Sequence, residues 1–151
     1  MPAGAVHTRA GRAFHVAVRY DPGMADLPES LLAWQWSIYP AGHRDRRNLL
    51  VHVLTVPVFE LGTVAVIVSP FLGLWLAPAG LVAMVGVMAL QGRTHRLEAV
   101  PPAPFRGLGN VLGRVFGEQW LTFPRYVLAG GFACAWREAG SPAARTPSSP
   151  A

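Results

Sequence analysis

Two short segments concentrate the side chains that could do chemistry. The first reads His43-x4-Asn48-x3-His52-x4-Pro57 and the second Gln91-x3-His95-x2-Glu98. Asn48 and His52 are an i,i+4 pair, so on a helix they share a face, and Asn48 is placed to cap that helix and orient the imidazole one turn deeper. Nine residues turn an ideal helix through about 180° net, so His43 cannot share the face of His52 and belongs to the preceding loop. Pro57 frees the carbonyl of Val53 beside that histidine. Gln91, His95 and Glu98 fall within roughly 60° of one another on a helical wheel, the geometry of a ligand stripe. Imidazoles with a carboxylate suit a divalent first-row metal, and such a set with open positions is what non-haem Fe(II) oxygenases use.

Structural polar packing is the competing reading, because histidines at helix ends often sit solvated in an interfacial layer. It is the preferred one for His7 and His15. For His43, His52 and His95, with Asn48, Gln91 and Glu98 as supporting or alternative ligands, a metal site is preferred, because polar groups beside lipid are costly without a purpose. Glu60 lies ~12 Å beyond His52 and about 80° around the helix, too far to ligate the same ion. A structural bond to Thr63, Arg114 or Arg125 explains it as well as a function does. Glu118, four residues after Arg114, reads as half of a helix ion pair.

The elements that must position these residues follow from composition and hydropathy. Apolar residues make up 52% of the 151 and charged residues 14%, against roughly 25% charged in an average soluble protein, which points to lipid as solvent. The net charge of +5 comes from scattered arginines; no nucleic-acid fold announces itself, and anionic headgroups are the simpler partner. One cysteine, Cys134, can form neither an internal disulfide nor a cysteine-based metal site, and reads as an apolar filler. The length allows a single helical domain over 13–139, with disordered ends at 1–12 and 140–151. No secretory signal stands in the first twelve residues.

Residues 49–69 reach ~31 Å as a helix, enough to cross a hydrocarbon core of about 30 Å. Ser69-Pro70 interrupts, and 71–90 runs without charge and returns. The fold class expected is therefore all-α, a multi-pass membrane protein with a central transmembrane hairpin. Arg44, Arg46 and Arg47 before the first span and Arg93 and Arg96 after the second place those flanks, and the N-terminus, in the cytoplasm of a bacterial inner membrane. An N-terminal interfacial helix capped by Asp26 runs to a stop at Pro40, carrying Trp34, Trp36 and Tyr39. After a break at 100–104, further membrane helices are expected at about 106–119 and 120–137. Whether that second pair spans or re-enters, and the oligomeric state, stay open.

With these residues placed, the sequence resembles the 2-hydroxy fatty acid dioxygenase family, membrane proteins of the fungal endoplasmic reticulum with bacterial relatives. The resemblance rests on YPAGHRDRRNLLVHVLTVP and ALQGRTHRLEAVPPAPF and covers approximately residues 30–137. Tyr39, His43, Asn48, His52 and Pro57 fit the family's first motif. Its second motif usually has Gly directly before the histidine and an acid four residues after it; here Thr94 precedes His95 and the nearest acid, Glu98, follows three residues later. The resemblance implies an Fe(II)-dependent, O2-consuming α-oxidation in which a 2-hydroxy fatty acid loses one carbon. Arg44, Arg46 or Arg47 would hold the carboxylate of that fatty-acyl substrate, although membrane topology explains these arginines equally well. Two other readings stand beside it: a haem-binding electron-transfer protein with His52 and His95 as axial ligands, and a non-enzymatic structural or assembly protein.

Overall fold

The computed structural model describes residues 30–140, and these are helical without a strand. The ends expected to be disordered, His7, His15 and the Asp26 cap lie outside the described residues. Helix α1 (Leu31–Ile38) is capped instead by Ser30, whose Oγ accepts from the Ala33 N–H at 3.1 Å. Pro40 does not stop the chain there. A 3-10 turn over Tyr39–Gly42 continues it, with the proline in the first turn where its missing N–H costs nothing.

Helix α2 (Arg46–Leu72) and helix α3 (Leu76–Thr94) form an antiparallel hairpin. Asp45 caps α2 by accepting from the N–H groups of Arg47 and Asn48, the role expected for Asn48. The helix runs through Pro70 rather than ending at Ser69. Pro70 leaves the Val66 carbonyl without its backbone donor, and the Ser69 hydroxyl donates to it at 2.8 Å, which keeps the turn intact. The true end is Gly73, whose φ of 143° is closed to most other residues. Where the helices cross, Gly62 and Gly80 face each other so closely that a Cβ on Gly62 would stand 2.9 Å from the Gly80 carbonyl.

The remaining helices gather on the half of the hairpin that contains the start of α2. Helix α4 (Leu108–Gly117) begins after Gly107 and passes through a π turn (Glu118–Thr122) into α5 (Phe123–Leu128), and α6 (Gly131–Glu138) follows Gly130. The break therefore falls at Gly130, not between residues 119 and 120. Pro124 accounts for the π turn: its ring would collide with the Trp120 carbonyl in an α-helix, and a wider turn, with the Phe123 N–H reaching back to Glu118, relieves it. Among the described residues only α2 and the helix ending at Leu97 are long and apolar enough to cross a membrane; α4, α5 and α6 are each too short to span one.

The buried core joins Tyr39, Leu49, Val56, Phe123, Tyr126 and Ala135. It meets α2 at Leu49, Val53 and Val56, in the half of that helix nearest its start. Cys134 is exposed, its thiol donating to Glu138, and does not fill the core.

Candidate metal centre

Each imidazole reaches the centre from a different element. His43 ends the 3-10 turn after α1, His52 sits in the second turn of α2, and His95 opens the 3-10 turn (His95–Leu97) that terminates α3. The hairpin sets the start of α2 beside the end of α3, and the loop before α2 folds His43 over both. Ring centroids lie 4.8 Å apart for His43 and His52 and 5.0 Å apart for His95 and either partner. The fourth member is Glu118, from the π turn. One ligand atom from each of the four residues falls within 4.8 Å of all the others.

The hydrogen bonds fix the tautomers of two imidazoles. His43 Nδ1 lies 3.0 Å from the Tyr39 carbonyl and His52 Nδ1 lies 2.9 Å from the Asn48 carbonyl. A carbonyl only accepts, so each Nδ1 carries a proton, and in the neutral form of either ring Nε2 is the bare nitrogen, turned inward. Both Nε2 atoms are buried and have no hydrogen-bond partner. They lie 3.5 Å and 3.4 Å from Glu118 Oε1. That is long for a charge-assisted hydrogen bond, at ~2.7–2.9 Å, but it matches the ~3.3–3.6 Å between tetrahedrally arranged ligand atoms that each stand ~2.0–2.2 Å from a shared ion. Lone pairs and a carboxylate that converge are held together by a shared cation, a proton on one ring or a metal ion, and three imidazoles with one carboxylate fit a divalent metal.

Electrostatics agree with that reading. Burial alone pushes the Glu118 carboxyl up, and positive charge on the inward side of His43 and His52 outweighs it, holding the group well below the usual carboxylate range as an anion; a metal ion shared with two bare nitrogens would supply that charge in place of a proton. Burial and then the charge of Glu118 push the Tyr39 phenol well above its ordinary value. It therefore stays protonated and donates to Glu118 Oε1 at 3.1 Å. The Tyr39 ring stacks on His43 at 3.8 Å, and Phe123 covers His52 at 5.7 Å. Every ligand except His95 is thus held by a second contact, the outer support that metal-binding histidines and carboxylates ordinarily receive.

The three residues expected to support the histidines take other places. Glu98 is not at the centre, because α3 ends before it and its backbone is extended, so the stripe with Gln91 and His95 is broken. Its carboxylate instead accepts from the N–H groups of Arg44 and Asp45 and from Asn48 Nδ2 at 2.7 Å, tying the end of α3 to the loop holding His43. Asn48 orients His52 through its backbone carbonyl, while its side-chain oxygen accepts from Thr94. Gln91 lies in a buried pair with Gln119, each amide donating to the other, and also donates to Thr55. It anchors the π turn, not a metal.

The arginines expected to hold a carboxylate are engaged elsewhere or exposed. Arg46 donates to the Trp136 carbonyl and stacks on its ring, Arg47 pairs with Asp45, and Arg44 points to solvent. Arg114 forms no ion pair with Glu118; it donates to the Ala103 and Pro104 carbonyls. Nor does Glu60 engage the partners expected of it, since Thr63 donates to Phe59 and Arg125 lies over Trp36.

Glu118 is the member of the cluster that sequence reasoning missed. The signal was present: Val111, Arg114, Val115 and Glu118 follow an i,i+3,i+4,i+7 pattern, which puts both charges on the face that the apolar stripe buries. Compared with family models, with curated proteins and with solved structures, the chain finds no match.

Proposed function

We propose that this chain is a membrane-embedded, Fe(II)-dependent dioxygenase acting on 2-hydroxy fatty acids or related lipids. The observation that carries the reading is the pair of buried, bare Nε2 atoms of His43 and His52 turned on the Glu118 carboxylate. Three imidazoles and one carboxylate suit Fe(II), and the resemblance in both histidine motifs favours it over other divalent ions. Iron, when bound, supplies the redox chemistry that lets O2 react with an organic substrate. Overall, RCH(OH)COOH + O2 → RCOOH + CO2 + H2O balances in atoms and electrons, so no further reductant is needed.

The chain's own residues bind and orient. The carbonyls of Tyr39 and Asn48 hold two imidazoles in the ligating tautomer, and the Tyr39 hydroxyl keeps Glu118 turned inward. Leu49, Phe123 and Tyr126 exclude water from one side, while His43, His95 and Glu118 line a cavity on the other. That opening is where a substrate and O2 would enter.

A lipid setting is supported by exposure along the hairpin. Only 22% and 17% of the apolar windows of the two long helices are buried inside the protein, whereas the core helix of a soluble protein is mostly buried. Leu61, Ile67, Phe71, Leu74, Val82 and Val85 are each more than three-fifths exposed, an apolar surface that lipid would cover. With arginines flanking the histidine end and none in the 73–75 turn, that end would lie in the cytoplasm, and α1 with its tryptophans at the interface.

The haem reading finds less support. His43 and Glu118 stand between and beside His52 and His95, in the space a porphyrin would need. Metal analysis of the detergent-purified chain tests the proposal. Near-stoichiometric iron that disappears in His52→Ala and His95→Ala is expected, with consumption of a 2-hydroxy fatty acid by the native chain alone. Metal-free protein of full stability would overturn it.

A further inference from the structure

The cavity beside the centre has a volume of about 440 Å³, within the ~300–1,000 Å³ of small-molecule sites. Its walls are apolar, from Ile38, Ala41, Val100 and Pro101 to Pro104, and three of the four ligating residues border it. Three other polar side chains line it: Tyr39, whose hydroxyl donates to Glu118, and two that each hold an unused hydrogen-bonding atom.

Arg114 is the first. Its guanidinium lies over Phe105 at 4.5 Å and Trp34 at 5.0 Å, and its Nη1 donates to Ala103 and Pro104. These contacts fix the plane, yet Nε is buried without an acceptor and no carboxylate among the described residues pairs with the charge. Gln35 is the second. It is 4% exposed; its Nε2 donates to the Arg114 carbonyl at 3.0 Å, leaving Oε1 buried without a donor. Buried polar atoms are nearly always satisfied, so an unmet cationic donor and an unmet acceptor in one apolar cavity describe the ligand by complement. It has an anionic group to meet the guanidinium, an O–H to meet the amide oxygen, and a chain to cover the walls.

We propose that this cavity is the substrate site, in which Arg114 holds the carboxylate and Gln35 accepts the hydroxyl of a single-chain hydroxy acid. The inference rests on the metal reading for its reaction, although not for its binding. It assigns the carboxylate to Arg114 and not to Arg44, Arg46 or Arg47. The two residues are positioning residues: they set which end of the amphiphile faces the three histidines.

Calorimetric titration of the full chain in detergent, before and after chelation, tests this with 2-hydroxyhexadecanoate, hexadecanoate and 1,2-hexadecanediol. Arg114→Gln should weaken both acids by roughly 10–100-fold, the loss of a charge-assisted bond, and leave the diol within about threefold. Arg114→Lys should keep part of the acid preference. Gln35→Met should weaken the hydroxy acid by roughly 2–10-fold relative to the plain acid. Because Arg114 also tethers residues 103 and 104, Ala41→Phe provides a variant that fills the cavity without touching that tether. It should abolish binding of all three ligands while iron content is kept.

Native affinity for the acids in both Arg114→Gln and Ala41→Phe overturns the proposal. So does tighter binding of a lysophosphatidylglycerol than of the hydroxy acid, which would make the site one for a lipid headgroup. Acid selectivity that depends on Arg114 in a chain that never holds iron would sink the dioxygenase reading and leave this site standing.

Discussion

Glu118 and Glu98 are both acidic, both near the histidines, and placed by the fold in opposite roles. Glu118 turns toward two bare imidazole nitrogens, whereas Glu98 is satisfied by two backbone N–H groups and an amide. Glu118→Gln is therefore expected to lower iron affinity on the order of 10²-fold or more, since even outer-shell changes cost 10–100-fold. Glu98→Gln should leave iron stoichiometry at saturation unchanged and cost about 1.5–3 kcal/mol of stability through its charge-assisted bonds. Metal content and unfolding midpoints, measured on both variants, check this; loss of iron in Glu98→Gln alone would reverse the assignment. Tyr39→Phe removes the hydroxyl that donates to Glu118 while keeping the ring on His43. It should weaken iron by roughly 10–100-fold without changing the number of sites, as read by competition with a chelator.

Helices α2 and α3 hold the histidines at one end because they meet closely at Gly62 and Gly80. A side chain at either glycine must push the helices apart, since the obstacle is backbone carbonyl. Gly62→Val is expected to destabilise the hairpin by about 1–3 kcal/mol, the usual cost of overpacking. The crossing lies ~15 Å along α2 from His52, so the folded fraction should still bind iron. Thermal unfolding in detergent with metal analysis of the soluble fraction measures both, and a Gly62→Val chain as stable as the native one would show that the contact is loose. The π turn matters in the same way. It joins Glu118, at the centre, to Gln119, which is locked to Gln91 on α3, so one member of the cluster is indexed to the helix that leads to another, His95.

For the molecule as a whole, the histidine end is wrapped by α1 and α4–α6 while the far end presents apolar side chains on all sides. Spanning α2 and α3 would put the 73–75 turn outside and Arg96 inside. In a Cys134→Ala background, a cysteine at Leu74 should react with an impermeant maleimide added to intact cells, and one at Arg96 should react only after lysis. The chain should also sediment with membranes and resist carbonate extraction. Equal labelling at both positions, or release by carbonate, would rule out the two-span topology.

Sequence and fold divide the description along a physical line. Periodicity and hydropathy are local properties, and they were enough to read an all-helical chain, two long apolar helices in antiparallel array, and the histidines that the structure gathers. His43 was placed in a loop by helical phase alone. Helix ends were read less well, because they depend on single contacts: the Ser69 hydroxyl carries α2 past Pro70, and Pro124 opens a π turn where a break was expected. Glu98 followed from that error, since its place on a ligand stripe required α3 to continue about one turn further than it does. Glu118 and Arg114 were legible as charges on a buried face, but not as ligand and cavity residue. Those roles arise only when α4 packs beside α1 and the loop of His43, across some eighty residues of chain, and no local pattern specifies which distant imidazole a buried carboxylate will meet.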